Sequence, residues 1–317
     1  MTPRGHLLHI RLHLPHAPRH ALTNLPYLGG VLHGAIRRRW LSLPAKQYAA
    51  LDPSHLTTQA TDHNARPRWR LIPPPWPIRH PPQWLNDHQH LHLALVIHAG
   101  AELPIERAAA ALQGLECVGA GREYYRVAQV YVQAQALPVP WPQPTLPILP
   151  APPAITQPAS HHLQVQWLTP LHLASKARIR AGHGPTAPTL LGLLRSLVTR
   201  AHLLEPAWAA AWGLGSPAWV GWEEHWRRQE SPSTSDQATK SILWPYSSCT
   251  KQQVLYWQGL LGQQRWYTHL PPAALALLTI GPWLGVGEKP SFGCGHFEWQ
   301  AEPLNDLQPD PGPKSWP

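Results

Sequence analysis

The stretch Gly285-Val-Gly-Glu-Lys-Pro-Ser-Phe-Gly-Cys-Gly-His-Phe297 has four glycines and one lysine in thirteen residues, and it follows an apolar helical run. A nucleotide-binding GxxxxGK(S/T) loop does not fit, because Glu288 separates Gly287 from Lys289. A dinucleotide-binding GxGxxG fingerprint does not fit either, because Pro290 stands at the third glycine position. Two interpretations remain. Either the backbone N–H groups of this glycine-rich loop approach an anion closely, or the loop only reverses the chain.

Composition favours a polyanionic partner. The 317-residue chain has room for two domains and carries a formal net charge of +9, although only 14% of its residues are charged. The excess comes from scarce acids and abundant arginine, which binds phosphate well; a basic background composition would give the same charge. The three cysteines are far apart, so neither a disulfide framework nor a CxxC metal site is indicated. No apolar run reaches the ~20 residues of a membrane helix and no signal peptide is evident, so we expect a cytoplasmic protein.

The first half of the chain predicts strands and helices in a ferredoxin-like order. Three segments alternate polar and apolar residues as strands do, at residues 6–14, 90–98 and 122–132. Apolar residues recur at helical spacing over residues 25–36 and 104–115. The connection between the first helix and the second strand is rich in Pro, Trp and Arg, and we expect it to be irregular. Residues 1–135 therefore predict an N-terminal α+β domain of ferredoxin-like type.

The second half repeats this plan after a proline-rich linker at residues 136–160. Its predicted elements are a strand at 163–167, a helix at 188–204, a hairpin of 254–260 with 264–270 around Leu261-Gly262, a helix at 272–280 and a strand at 295–300. Residues 229–241 are interpreted as an insertion and residues 301–317 as a flexible tail. Residues 161–300 thus predict a second β-α-β-β-α-β domain, in which the glycine-rich loop lies before the last strand.

Three motifs of the second half carry a family resemblance: Leu168-Thr-Pro-Leu-His-Leu173, Gly259-Leu-Leu-Gly262, and Leu284-Gly-Val-Gly-Glu-Lys-Pro-Ser-Phe-Gly-Cys-Gly295. Together they resemble the CRISPR repeat-processing endoribonucleases of the RAMP superfamily. In the first half, Gly119-Ala-Gly-Arg-Glu-Tyr-Tyr-Arg-Val127 resembles the glycine-arginine hairpin of that family. The resemblance implies two tandem ferredoxin-like domains and a glycine-rich loop that holds RNA, or holds the fold that binds RNA.

A sharper local match concerns one histidine. The runs His9-Ile-Arg-Leu and Leu28-Gly-Gly-Val-Leu-His-Gly-Ala-Ile36 resemble the subtype I-F branch, and carrying its catalytic histidine over gives His33. Histidine suits the general base, since its ordinary pKa of ~6.5 leaves a neutral fraction near pH 7. Arg37 would stabilise the phosphate and Tyr27 would donate a hydrogen bond or a proton. The alternative is that His33 is a surface histidine on a tightly packed helix; other candidate bases are His20, His55 and His63.

Basic and glycine residues supply the candidate RNA contacts. The basic run after Thr169-Pro170 would bind phosphates, together with a cation on the first helix and the glycine-rich loop. The alternative for the basic run is a solvated loop. These candidates are Lys176, Arg178, Arg180, Arg38, Gly285, Gly287, Lys289, Ser291, Gly293 and Gly295.

The resemblance implies an endoribonuclease that cuts CRISPR precursor RNA within its repeats, without metal or cofactor, leaving a 5′-hydroxyl and a 2′,3′-cyclic or 3′-phosphate. It would then stay on the repeat RNA and join CRISPR effector subunits. A second interpretation is a non-catalytic RAMP subunit that binds crRNA as a scaffold. A third is an unrelated basic α+β protein with a metal site among His6, His9, His13, His16 and His20, although no Cys or carboxylate stands at ligand spacing there.

Overall fold

The computed structural model describes ten segments of the chain: residues 6–13, 29–53, 67–73, 90–98, 105–118, 124–132, 159–171, 188–229, 238–248 and 253–303. None of the helices in these segments is long and apolar enough to span a bilayer.

The N-terminal domain is a five-stranded antiparallel sheet covered by helices on one face. Its elements are β1 (His6–His13), α1 (Gly29–Trp40), α2 (Ala45–Leu51), β2 (Trp69–Ile72), β3 (His90–Ile97), α3 (Ile105–Leu112), β4 (Glu116–Val118) and β5 (Tyr124–Val132). The strand order is β2-β3-β1-β5-β4, with antiparallel neighbours throughout. Without the short edge strand β4, this is the order of a ferredoxin-like sheet.

The C-terminal domain has the same topology. Its elements are β6 (Ala159–Leu171), α4 (Leu190–Leu204), α5 (Pro206–Ala211), α6 (Pro217–Gln229), β7 (Ala238–Ser248), β8 (Gln253–Leu270), α7 (Pro272–Leu284), a 3-10 turn (Pro290–Phe292) and β9 (Phe297–Pro303). The strand order is β7-β8-β6-β9, again antiparallel. The predicted fold class, two tandem ferredoxin-like α+β domains, is confirmed.

Each domain has its own hydrophobic core. Because side chains alternate between the two faces of a strand, every second residue of β1 and of β6 points into the core of its domain. In β1, Leu8, Ile10 and Leu12 point to α1 and α3, and all three are at most 2% exposed. In β6, Leu163 and Val165 point to α4 and α7 in the same way. Burial of these apolar stripes is the main stabilising contribution in both domains.

The two domains meet where the end of α7 packs on the first sheet. Leu7, Ile72 and Val96 lie on the sheet face opposite the helices, and the Trp283 side chain of α7 packs against them. The glycine-rich loop leaves α7 at this point, so it begins inside the contact between the domains. This placement brings the loop to α1, which carries His33.

The predicted hairpin at 254–260 and 264–270 is wrong. Residues 253–270 form one continuous strand, β8, and its partner β7 occupies residues 238–248, part of which we expected to be an insertion. Gly259 does not make a turn. A Cβ there would lie 3.0 Å from the Leu171 carbonyl oxygen and 3.0 Å from the Trp244 ring, so glycine permits a close crossing.

Other boundaries shift or fall outside the described segments. β2 lies inside the connection that we expected to be irregular, and α7 continues four residues beyond the predicted end at residue 280. The predicted linker at 136–160 is outside the described segments, except for its last two residues, which begin β6. Of the predicted tail, residues 301–303 belong to β9 and the remainder is outside.

Gly281→Ala is expected to lower the free energy of unfolding, because the new Cβ would lie 2.6 Å from Phe297 Cζ and 3.0 Å from Leu197 Cδ1 in the core. Overpacking of this kind costs about 1–3 kcal/mol, offset in part by the ~1 kcal/mol helix preference of Ala over Gly. Gly34→Ala is the matched control: its Cβ meets nothing within 4 Å, so only the helix preference acts and stability should rise. Urea unfolding of both variants tests this, and equal shifts of the same sign would contradict it.

Candidate active site at the domain interface

His33 lies on α1 but its polar contact comes from the other domain. The imidazole is 7% exposed, and Nδ1 lies 3.2 Å from the backbone carbonyl oxygen of Ser291 in the glycine-rich loop. A carbonyl only accepts hydrogen bonds, so this contact requires the proton on Nδ1. The Nε2 atom then carries the free lone pair, which is the tautomer that a general base needs.

Two aromatic rings hold the imidazole. Its plane is 15° from that of Phe292, with ring centroids 3.7 Å apart, and 15° from that of Trp69, at 5.1 Å. Trp69 in turn packs edge-on against Trp40, whose indole N–H donates to the Ala108 carbonyl at 3.2 Å. The ring of His33 is therefore fixed by residues of both domains.

Burial keeps His33 neutral. The pKa of His33 is lowered to about 3, chiefly because burial removes the imidazole from water; the bond to the Ser291 carbonyl opposes this shift, and the charges of Arg37 and Lys289 add to it. At neutral pH the side chain is therefore uncharged in this structure. A phosphate placed beside it would act in the opposite direction, because a nearby negative charge favours the imidazolium.

Lys289 has an unusual backbone conformation next to this site. Its φ of 67° is the one positive value at a non-glycine residue in the described segments. Left-handed backbone costs an L-residue about 1–2 kcal/mol. Its ammonium group lies 4.9 Å from the ring centroid of Trp257 and 5.6 Å from that of Phe292, so two rings hold the cation near His33.

The glycine-rich loop is fastened to its own domain through β6 and α4. The Thr169 hydroxyl donates to the Gly293 carbonyl at 2.7 Å and accepts from the His296 N–H at 2.8 Å. The four glycine N–H groups also have protein acceptors: Gly285 to Gly281 O at 2.8 Å, Gly287 to Ser196 Oγ at 3.0 Å, Gly293 to Pro290 O at 2.8 Å and Gly295 to Pro170 O at 3.0 Å. In this arrangement the glycine N–H groups shape the loop and are not presented to an anion.

Arg37 is tied to α2. Its Nε atom lies 3.2 Å from Asp52 Oδ2 and donates to the Tyr48 hydroxyl at 3.0 Å, while 43% of the side chain remains exposed. The carboxyl group of Asp52 is buried, so it holds the guanidinium in place. The neighbouring Arg38 is exposed.

The structure brings together some of the predicted site residues. His33, Arg37, Lys289 and Ser291 meet where α1 faces the loop. The loop glycines Gly285, Gly293 and Gly295 are buried. Seven candidates lie outside the described segments: Tyr27, Lys176, Arg178, Arg180, His20, His55 and His63.

Several residues of the site were not predicted. Trp69 and Phe292 stack on His33, and Thr169 fastens the loop. Ser291 was predicted as an RNA contact, but the contact of its carbonyl with His33 was not. Thr169 stands in the motif at residues 168–173 that carries the family resemblance, so its position was a usable signal. Trp69 gave no such signal, because its strand has only four residues and is too short to show a periodic pattern.

The described segments contain no group of three or more His, Cys, Asp or Glu side chains that could hold a metal ion. The predicted histidine tract is only partly described, since His16 and His20 lie outside these segments.

No family model and no curated protein matches the sequence. Among solved structures, a Cas6 (TTHB231) product complex matches with a TM-score of 0.55 and 16% identity, over 93% of this chain and 100% of that one. Thermus thermophilus Cas6 (TTHB231) matches with a TM-score of 0.54 and 16% identity, over 95% and 100%.

The chain has the fold of Cas6. At this identity the likeness concerns the fold, and it extends over both ferredoxin-like domains of the Cas6 structures.

His33 is expected to make stability depend on pH. Its pKa in the folded protein lies below the ordinary value, so the unfolded chain binds the proton more readily and stability falls as pH drops from ~6.5 toward 3. The contribution of one such histidine is about 1.4 kcal/mol per pH unit in this window.

Urea unfolding at pH 7.5 and 5.5 should show a smaller loss of unfolding free energy for His33→Gln than for the native protein. His296→Gln should reduce the loss in the same way, because burial also lowers the pKa of His296 to about 3. Equal losses in all three proteins would contradict this.

Proposed function

We propose that this protein is a metal-independent endoribonuclease that cleaves CRISPR precursor RNA within its repeats, with His33 as the general base. The observation that carries the proposal is the neutral imidazole of His33, oriented by a carbonyl of the opposite domain in a chain with the Cas6 fold. A product complex of a protein with this fold supports it. The active site lies between the domains, which we place at residues 1–135 and 161–300.

In the proposed reaction, Nε2 of His33 accepts the proton of a 2′-hydroxyl, and the oxygen attacks the adjacent phosphorus. The bond to the 5′-oxygen breaks, and this oxygen takes up a proton. The products are a 2′,3′-cyclic phosphate, which water can open to a 3′-phosphate, and a 5′-hydroxyl. A base with a pKa near 3 is weak, so we expect the bound phosphate to raise the pKa of His33 toward neutrality.

Cations near His33 would stabilise the charge that develops on the phosphate. Arg37 and Lys289 both lie close enough to lower the pKa of His33, so a phosphate at Nε2 would be within reach of their charges. Arg37 is held by Asp52 and Lys289 by aromatic rings, which limits the reorganisation needed during the reaction. Tyr27 remains our candidate for proton donation to the leaving oxygen.

Residues outside this centre would hold the rest of the RNA. We assign this role to Lys176, Arg178 and Arg180 and to Arg38 on α1. The glycine-rich loop, with Gly285, Gly287, Ser291, Gly293 and Gly295, would contribute to RNA binding through its shape, because its glycine N–H groups have protein acceptors. After cleavage the protein would remain on the repeat in the cytoplasm and join CRISPR effector subunits.

One observation favours a second candidate, a scaffold that binds crRNA without cutting it. The loop covers His33 closely, leaving 7% of its surface exposed, and RNA must reach Nε2 for the enzyme to act. Scaffold and nuclease share the fold and the RNA, and they differ in whether His33 is needed for strand scission.

Replacement of His33 by Ala is expected to slow single-turnover cleavage of a labelled repeat RNA in excess EDTA by roughly 10²–10⁴-fold, the range for loss of a general base. Affinity for the RNA should be retained. His202→Ala, on α4, is the control for removing an exposed histidine. Tight binding without cleavage by the native protein would favour the scaffold, whereas unchanged cleavage by His33→Ala would exclude His33 as the base.

Lys289→Gly removes the backbone strain and the charge together, and the two losses affect different quantities: strain affects stability, and charge affects RNA binding. Glycine adopts positive φ freely, and this gain offsets the lost cation–π contact, so the free energy of unfolding should change by less than ~1 kcal/mol. RNA affinity should fall, and the slope of log affinity against log salt should decrease by about one. Arg107→Ala, exposed on α3, controls for the loss of a surface cation. Unchanged affinity and slope in Lys289→Gly would show that Lys289 does not contact the RNA.

A further inference from the structure

A buried arginine connects the first domain to the start of the glycine-rich loop. Arg70 is the second residue of β2 and is 0% exposed. Its neighbour Trp69 points to the core of the first domain and stacks on His33. Because side chains alternate along a strand, Arg70 points the other way, toward the second domain.

One partner of Arg70 lies at the end of α7. Its Nη1 atom donates to the carbonyl of Pro282, in the last turn of that helix. The last carbonyls of a helix have no intrahelical donor and carry a partial negative charge, so a buried cation is favourable there. From the second domain, Arg200 Nε donates to the Leu284 carbonyl at 2.6 Å, and one arginine from each domain thus caps α7.

Arg70 also touches the first residue of the loop. Gly285 has a φ of 73°, and a Cβ on it would lie 2.9 Å from Cζ and from Nε of Arg70. The guanidinium therefore occupies the space that any other residue would need at this position. Arg70 therefore limits the direction in which the backbone can leave α7.

The position of Gly285 affects His33 through the backbone of the loop. Val286 N–H donates to the Gly295 carbonyl at 3.2 Å, and Gly295 N–H donates to the Pro170 carbonyl at 3.0 Å, so the two ends of the loop are joined. The turn between them presents the Ser291 carbonyl to Nδ1 of His33. A displacement of the loop at Gly285 would change this hydrogen bond.

We infer that Arg70 is a positioning residue for catalysis: by holding the C-terminal end of α7, it places the Ser291 carbonyl so that His33 keeps its proton on Nδ1 and its lone pair on Nε2. This inference rests on the proposed function for its catalytic consequence. The effect of Arg70 on the tautomer of His33 can be measured without it.

The test uses the full chain with Arg70→Met, which removes the charge and the donor at similar length, and Arg70→Lys, which keeps the charge. Arg39→Met is the matched control, because Arg39 Nε also donates to a helix carbonyl, that of Ala111 at 2.8 Å, but within the first domain. Three quantities are measured: single-turnover cleavage of repeat RNA, affinity for the same RNA with a 2′-deoxy nucleotide at the cut site, and the nitrogen chemical shifts of His33.

For Arg70→Met we expect cleavage to fall roughly 10- to 100-fold, the size of effect that a displacement of about 1 Å causes in an active site. Affinity for the 2′-deoxy RNA should change less than about threefold, because Arg70 is buried and does not reach the RNA. The shifts of His33 should show loss of the Nδ1-protonated tautomer, with partial retention in Arg70→Lys. Arg39→Met should leave both the cleavage rate and these shifts unchanged.

Gly285→Ala gives an independent perturbation with Arg70 intact, since its Cβ must displace the guanidinium, and it should give the same pattern. Folded variants with native His33 shifts and native cleavage would overturn the inference. If neither Arg70→Met nor Gly285→Ala folds, Arg70 is needed for folding and not specifically for positioning His33, and the inference is also overturned. If the native protein does not cut RNA, the proposed function fails, and the nitrogen shifts alone decide whether Arg70 positions His33.

Discussion

The docking of the turn Pro290–Phe292 against α1 is the contact on which the site depends. It joins His33 to the Ser291 carbonyl across 258 residues of sequence, so neither domain holds the histidine in this state by itself. Trp69 supports the imidazole from the first domain and Phe292 from the second. The relative position of the domains is therefore part of the chemistry of His33 as well as part of the fold.

The electrostatics of this interface explain why histidine is suited to it. A permanently charged residue buried at this depth would need a partner of opposite charge, whereas imidazole becomes neutral at modest cost. The two nearby cations, Arg37 and Lys289, reinforce the neutral form. In the proposed reaction the RNA phosphate would raise the pKa of His33, so the basicity of the imidazole would depend on bound RNA.

The sequence predicted elements whose apolar period is long and regular, and it failed where tertiary contacts decide. The strands at β1 and β3 and the helices α1, α4 and α7 were predicted from periodicity, and the fold class followed from their order. The hairpin in β8 was wrong because Leu261-Gly262 resembles a turn signal, whereas Gly262 lies inside a continuous strand with a φ of 118°. His33 was predicted from a family resemblance. Its hydrogen-bond partner, the carbonyl of Ser291, could not be predicted, because every residue has a backbone carbonyl and the sequence does not show which one accepts the bond.

A crystal structure of the protein with a repeat RNA that carries a 2′-deoxy nucleotide at the cut site would show whether His33 faces the scissile phosphate. We expect the scissile phosphate to lie where α1 meets the glycine-rich loop, with the C2′ atom facing Nε2 of His33 and the Nδ1 contact to Ser291 retained. RNA bound on another surface, with His33 still enclosed by Trp69 and Phe292 and remote from any phosphate, would contradict it.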